Sequence, residues 1–312
     1  PGERESSVAT PSTCPCTMWP PSLPFTGTAR SKFTRVPGIL GEGGISKETG
    51  ETDLGGRIGP TFSAHPHRAG GTLFNFGPIL PTLAATHRAV AVDYPGTGQT
   101  PRTKEPLTLD TLADELIAAA DAEGADTFAL AGYSLGTAVA VRTAARHPDR
   151  VRALVLTAPF ARPDTRMTLA AQTWHHLASS RDRDKLARFL LPLALSPEAL
   201  DALPPEQLAA ALRGTAESAP EGSADHVDLV LRTDVRADLA AIPAPTLVIT
   251  TTRDQLVPPA LQREVAAGIK GAAVAEMGTG HLPFAEDPAR WQRLITGFLA
   301  EVETGPSARA AE

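Results

Sequence analysis

The chain has 312 residues and a formal net charge of −6, and 42% of its residues are hydrophobic and 21% charged. This composition is typical of a globular protein, because a disordered chain buries too little apolar surface to offset its conformational entropy. The acidic balance and the lack of a strong basic cluster argue against nucleic acid and anionic membrane as partners. Small molecules and small carrier proteins are the expected partners.

The sequence indicates no segment that would direct the protein to a membrane or to an oxidising compartment. No stretch approaches the roughly 18 apolar residues of a membrane span, and residues 1–30 lack the apolar centre of a signal peptide. The only cysteines, Cys14 and Cys16, lie two positions apart and offer no disulfide framework. The expected location is the cytoplasm.

The first part of the chain carries little periodic pattern. Residues 1–30 are rich in Pro, Ser and Thr, and since proline lacks the backbone donor that regular structure needs, a disordered leader is expected. From Phe33 to Ile58, glycines and charges interrupt short apolar groups. That pattern is compatible with weakly marked strands of a hairpin.

Short apolar runs bounded by turn residues follow, which is typical of buried parallel strands. They occupy residues 60–64, 88–93, 127–131 and 151–157. Helical segments lie between them at residues 109–122 and 135–147. The alternation predicts a doubly wound, mostly parallel α/β sheet, whose first part covers residues 31–160.

The strand pattern disappears between residues 161 and 240. Segments with helical periodicity alternate there with proline breaks, at residues 167–178, 184–191 and 205–215. This indicates a helical insertion after the sixth strand. The sheet pattern resumes over residues 241–303, with strands at 245–250 and 272–277 and helices at 260–269 and 288–302, and residues 304–312 are expected to form a tail.

Three features of the insertion are relevant to function. Its first amphipathic segment is expected to bury Leu169 and Trp174 toward a pocket or the core, while the charge run at 181–185 stays solvated. His175 and His176 are adjacent on the same predicted helix. They diverge by about 100° and cannot face one metal ion together, so no metal site is predicted.

A short glycine motif, Gly96-Thr97-Gly98, follows the strand at 88–93. Glycines in this place can cradle a phosphate, but the third glycine of a dinucleotide fingerprint is missing. A tight turn is therefore the better account, and no cofactor is predicted.

The strongest chemical signal is the pentapeptide G-Y-S-L-G at residues 132–136, between a predicted strand and a predicted helix. A serine hydroxyl is a weak nucleophile and must project from a strained turn toward a base. Small flanking residues let the strand and the helix pack closely around that turn. Ser134 is therefore the predicted nucleophile.

An aspartate and then a histidine follow Ser134 along the chain, in the order expected for a nucleophile in a fold of this kind. Asp254 lies just beyond the strand at 245–250, and His281 lies in a glycine-containing loop after the last strand. His281 could take the proton of Ser134, and the Asp254 carboxylate could fix the tautomer of His281 and stabilise its imidazolium form. Alone, each residue has a simpler account, as a surface histidine and a turn-forming acid.

The stretch from about Pro60 to Leu299 resembles the α/β-hydrolase superfamily. The segment D-Y-P-G-T-G at residues 93–98 is similar to the family's D-x-x-G-x-G turn, and the segment at 239–249 is similar to the re-entry from its cap domain. The resemblance implies a Ser nucleophile, a His base, an Asp orienter and a helical cap, here residues 161–240, over the pocket.

The oxyanion hole requires two backbone donors. One is expected at Leu135, directly after the nucleophile at a helix N-terminus. Two alignments compete for the second: the strand at 60–64 places it at His67, whereas a strand at 72–75 would place it at Pro78, which has no N–H to donate. The first alignment is preferred, although Pro66 stands where the superfamily often has glycine.

The sequence thus predicts a serine hydrolase that cleaves an ester or thioester of a small-to-medium apolar acyl substrate, free or carrier-bound. The first alternative is an acyltransferase that uses the same triad with an alcohol or amine acceptor. The second is a binding or scaffold protein, favoured if Pro66 disables the oxyanion loop.

Overall fold

One parallel sheet organises the computed structural model, which describes residues 33–37, 61–64, 73–98 and 100–305. In this part of the chain the sheet has seven strands in the order β1-β3-β2-β4-β5-β6-β7, and every neighbouring pair is parallel. In chain order the strands are Phe33–Pro37, Thr61–Ala64, Arg88–Asp93, Phe128–Tyr133, Val151–Thr157, Thr246–Thr251 and Ala273–Met277.

Both faces of the sheet are covered, as the continuous apolar runs of its strands require. Side chains of β4 alternate between two apolar clusters: Phe128 and Leu130 pack in one, Ala129 and Ala131 in the other. This alternation follows the two-residue period of a strand. The predicted doubly wound α/β architecture is confirmed.

Helices connect most of the strands. The predicted segments are present with small shifts of their ends, and the shorter helices carried too little periodicity to be predicted. Labelled α1 to α12, the helices of the described residues are Leu80–Thr86, Leu109–Ala122, Leu135–Arg146, Thr165–Ser179, Arg183–Ala194, Pro197–Asp201, Pro205–Glu217, Ser223–Arg232, Arg236–Leu239, Pro259–Gly268, Pro283–Glu286 and Pro288–Thr304. Within that part of the chain, none of them is long and apolar enough to cross a bilayer.

Two observations concern the weakly marked N-terminal part. Phe33–Pro37 pairs in parallel with β3, and the rest of the predicted hairpin falls outside the described residues, so the hairpin stays a prediction. Leu73–Phe76 forms a 3-10 turn, which removes the strand of the alignment that was not preferred. The predicted leader at 1–30 and the predicted oxyanion donor His67 lie outside the described residues, as do residues 306–312 of the predicted tail.

Six helices, α4 to α9, lie between β5 and β6. They follow the fifth strand of the described residues. The insertion was predicted after a sixth strand, and residues 38–60, which belong to the stretch where weakly marked strands were expected, lie outside the described part. Helix α4 packs against α8, and α5 packs against α7. Their treatment as a separate cap domain over residues 161–240 stays a prediction.

The buried face of α4 differs from the expected one. Trp174 is 5% exposed and its Nε1–H donates to Ser223 Oγ on α8 at 3.2 Å. Leu169 is 60% exposed, so its predicted burial was wrong. The buried positions of α4 are Met167, Ala171 and Trp174, and a residue two positions beyond Met167 lies about 200° around the helix from it.

The inserted helices contact the core at the turn after β3. Gly96 and Gly98 have φ angles of 82° and 55°, a conformation that glycine adopts without steric cost. A Cβ on Gly96 would lie 2.5 Å from the Cα of Gly222, in the connection between α7 and α8. Beside this contact, the Arg102 guanidinium donates to both carboxylate oxygens of Asp225, at 2.7 and 2.8 Å. The turn is thus tight and directly packed on the insertion.

Candidate active site

Ser134 lies at the junction between β4 and α3 in a strained backbone conformation, with φ 54° and ψ −124°. Strain of this kind costs about 1–3 kcal/mol and persists only where the surroundings enforce it. Here the strand and the helix meet so closely that a Cβ on Gly132 would lie 2.6 Å from Gly136 O. The glycines of the pentapeptide therefore permit the turn that presents the Ser134 hydroxyl.

The structure brings the three predicted catalytic side chains together. His281 Nε2 lies 2.9 Å from Ser134 Oγ, and His281 Nδ1 lies 2.7 Å from Asp254 Oδ2. Ser134 is 5% exposed, and the other two side chains are fully buried. These residues follow β4, β6 and β7, whose carboxyl ends share one edge of the sheet, where open α/β folds bind ligands. Their assignment as a catalytic triad stays a prediction.

The buried Asp254 carboxylate is well supplied with hydrogen-bond donors. Its Oδ1 accepts from the backbone N–H groups of Leu256 and Val257 at 2.9 and 2.8 Å. Its Oδ2 accepts from Thr251 Oγ1 at 2.9 Å and, at 3.3 Å, from Gln262 Nε2. A buried charge is tolerated only with such partners. The oxygens of this carboxylate are therefore hydrogen-bonded by neighbouring groups in addition to their contact with His281.

Sequence reasoning missed Gln262. It is fully buried and its Oε1 accepts from Thr251 N at 2.8 Å, while its Nε2 donates to Val257 O at 2.8 Å. It shares the buried stripe of α10 with Leu261 and Val265. A polar residue on the apolar face of a predicted helix was the signal that could have found it.

Tyr133, directly before the nucleophile, was also missed. Its hydroxyl donates to the backbone carbonyl of His281 at 2.5 Å, and the two rings lie 5.1 Å apart between centroids. This contact links the end of β4 to the loop that carries His281. No local pattern indicates it, since the two residues are 148 positions apart.

One predicted oxyanion donor belongs to the described residues. Leu135 is the first residue of α3, and the first N–H groups of a helix have no partner within it and favour negative charge. Strand β2 ends at Ala64, immediately before the segment that contains His67, and it pairs with β4. The alignment that would place the second donor at Pro78 requires a strand at residues 72–75, and the structure has a 3-10 turn at Leu73–Phe76 instead. His67 itself stays a prediction.

Comparisons with known proteins agree with this architecture. The sequence model of the Alpha/beta hydrolase family matches residues 63–292. A pyrrolizixenacetamide deacetylase of Xenorhabdus hominickii is 33% identical over 227 residues, which are 72% of this chain and 85% of the relative. A pimeloyl-[acyl-carrier protein] methyl ester esterase of Neisseria meningitidis is 32% identical over 253 residues, with 78% of each chain covered.

A solved structure gives the same result for the fold. The enol-lactonase from Burkholderia xenovorans superposes with a TM-score of 0.69 at 25% identity, covering 78% of this chain and 92% of the enol-lactonase. The chain therefore belongs to the alpha/beta hydrolase family. It is an enzyme of the hydrolase class.

Proposed function

We propose that the protein is a serine hydrolase that cleaves an ester or thioester of a small-to-medium apolar acyl substrate. The observation that carries the proposal is the continuous hydrogen-bonded chain from Ser134 Oγ through His281 to Asp254, with links of 2.9 and 2.7 Å. A nucleophile, a base and an orienting carboxylate in hydrogen-bond contact are the arrangement that acyl transfer requires.

In the first half-reaction, Ser134 Oγ attacks the substrate carbonyl carbon while His281 Nε2 takes the hydroxyl proton. The Asp254 carboxylate holds the Nδ1–H tautomer and stabilises the imidazolium that forms. The carbonyl C=O opens to an oxyanion as the new C–O bond is made. When the oxyanion collapses, the bond to the leaving group breaks, and His281 returns the proton to the departing alcohol or thiol.

The oxyanion is stabilised by the backbone N–H of Leu135 and, in the proposed arrangement, by that of His67. Each such donor contributes about 3–4 kcal/mol to lowering the barrier. In the second half-reaction, His281 deprotonates a water molecule that attacks the acyl-Ser134 ester. The acid is released and Ser134 regains its proton.

The substrate class is supported by the relatives and by the insertion. The two curated relatives are named for removing an acetyl group and for cleaving a methyl ester on an acyl-carrier protein, so carrier-bound esters belong among the substrates to test. We treat helices α4 to α9 as the cap that shapes the acyl pocket, because connections after the strands of such a sheet emerge at the edge where Ser134 lies.

The test combines a fluorophosphonate probe with p-nitrophenyl esters of graded chain length. Wild type should be labelled at Ser134, whereas Ser134→Ala and His281→Ala should lose labelling and several orders of magnitude in turnover, because triad members act as a unit. Ser180→Ala, which alters an exposed serine in the insertion, is the matched control and should behave as wild type.

Other outcomes point to the alternatives. Retention of more than about a tenth of the activity by either triad variant would remove that residue from the mechanism. If added alcohol or amine captures most of the acyl group in place of water, the enzyme is an acyltransferase. If wild type is not labelled, the fold serves as a binding protein.

A further inference from the structure

We infer that Glu286 is a positioning residue for His281 and ties the catalytic loop to the helical insertion; this inference rests on the proposed function. Glu286 is the last residue of α11. Its Oε1 accepts from the backbone N–H groups of Gly280 and Ser196, each at 3.0 Å, and its Oε2 accepts from Ser196 Oγ at 2.6 Å. One carboxylate thus bridges the loop before His281 and Ser196, the N-cap residue of α6.

The hydrogen bond from Gly280 to Glu286 is relevant to catalysis because of its place in the chain. Gly280 directly precedes His281, so the peptide plane that Glu286 holds, between Thr279 and Gly280, lies one residue before the base. On the other side of His281, the backbone carbonyl accepts from the Tyr133 hydroxyl. The chain is therefore held on both sides of His281, at the carbonyl of the base by Tyr133 and one residue before the base by Glu286.

The loop is also fixed sterically against the insertion. A Cβ on Gly280 would lie 2.4 Å from Ser196 N and 2.5 Å from the carbonyl carbon of Leu195. Only glycine allows this approach, because any side chain would overlap the backbone between α5 and α6. The Glu286 carboxylate therefore joins two backbone segments that are already in close contact. A displacement of the segment between α5 and α6 would therefore move Gly280 as well.

The surroundings of Glu286 are those of a buried, hydrogen-bonded carboxyl group. Burial raises its pKa, with a smaller contribution from the Asp254 charge, and the hydrogen bonds from Ser196 and Gly280 offset only part of that rise. Three donors converge on the two oxygens, so the carboxyl group serves as their common acceptor.

The geometry gives the expected size of the effect. Catalytic groups must be held to within about 0.5 Å, and a misplacement of about 1 Å can cost about 100-fold in rate. We expect Glu286→Ala to lower kcat for p-nitrophenyl esters by roughly 10- to 100-fold with little change in KM, since the loss acts on proton transfer. Glu286→Gln should recover most of this loss, because its amide oxygen still accepts from both backbone N–H groups.

Glu303→Ala is the matched control. Glu303 is a partly buried glutamate of α12 whose carboxylate accepts from His87 and Arg152 at 2.8 and 3.1 Å. Its removal should cost stability, as the removal of Glu286 does, but kcat should stay within about threefold of wild type. The low-field proton resonance of His281 Nδ1–H should shift or broaden in Glu286→Ala and stay unchanged in Glu303→Ala.

The inference is overturned if Glu286→Ala matches Glu303→Ala in kcat and in the Nδ1–H resonance, or if Glu286→Gln is as impaired as Glu286→Ala. If Glu286→Ala does not fold, Glu286→Asp decides, because its shorter side chain cannot span Gly280 and Ser196 and should show the same loss of kcat. Labelling of wild-type Ser134 is measured first. If wild type is not labelled, the proposed function is refuted. If wild type is labelled normally but Glu286→Ala has the same kcat as Glu303→Ala, only the positioning role is refuted.

Discussion

A carboxyl group lies in the core without a hydrogen-bond partner among the described residues. Glu115 on α2 is 4% exposed, and neither Oε1 nor Oε2 is bonded within that part of the chain. Burial raises the pKa of Glu115 from 4.5 to about 7. The core therefore accommodates this side chain more easily when it is protonated and neutral.

The consequence is a loss of stability with rising pH. A glutamate with pKa 4.5 in the unfolded chain and about 7 in the folded protein leaves the folded state with more bound protons between these two values. The stability is fully present below the unfolded pKa and is lost as pH rises through the folded pKa. Each pH unit in this window contributes about 1.4 kcal/mol, so the total loss reaches roughly 3 kcal/mol at pH 8.

Glu115→Gln removes the charge and keeps the size. We expect it to raise the free energy of unfolding by roughly 2–3 kcal/mol at pH 8 and by less than about 1 kcal/mol at pH 5. Urea denaturation of wild type and variant at both pH values measures this difference. Thermal unfolding at pH 8 should shift upward by roughly 3–5 °C.

The control is Glu105→Gln, which alters an exposed glutamate in the loop before α2. It should change the stability by less than about 0.5 kcal/mol at either pH. The reasoning fails if Glu115→Gln gives no gain at pH 8, or if its effect is the same at pH 5 and pH 8. In either case the carboxylate would have a partner that compensates its charge.

Three further predictions concern the site and the insertion. Asp254→Asn should lower kcat by about 10⁴-fold, because an amide favours the wrong tautomer of His281; unimpaired turnover would exclude Asp254 as the orienting acid. Gly132→Ala should lower the free energy of unfolding by about 1–3 kcal/mol, since its Cβ would lie 2.6 Å from Gly136 O; a neutral effect in urea denaturation would contradict the close approach. Trp174→Phe removes the hydrogen bond to Ser223 and should cost about 1 kcal/mol. Ester turnover by this variant should be unchanged, and an altered chain-length preference would mean that the indole contacts substrate.

The sequence by itself determined the features that depend on near neighbours along the chain. The start of α2 at Leu109 was predictable because Thr108 forms a local capping box with Thr111, whose N–H donates to Thr108 Oγ1 at 3.0 Å. The strained turn at Ser134 was predictable because small residues, a strand and a helix meet within five positions. Buried parallel strands were predictable from uninterrupted apolar runs.

The order in which the strands pair was decided only by the tertiary structure. Phe33–Pro37 has a weak pattern of its own, and nothing in it indicates that it pairs in parallel with β3. On α4, the apolar residues Leu169 and Trp174 have the same preference for burial, and the packing of α8 determines which of them is covered. A periodic pattern indicates that one face of an element is buried, but not what covers it.

The same limit applies to the residues that support the triad. Ser134, Asp254 and His281 were predictable from motif and order, whereas Glu286 and Ser196 meet across 90 positions and carry no shared pattern. Glu115 lies on a face of α2 that the core covers, although its side chain alone would favour solvent. Local preferences are worth about 1 kcal/mol or less per residue, and the packing of elements distant in sequence outweighs them.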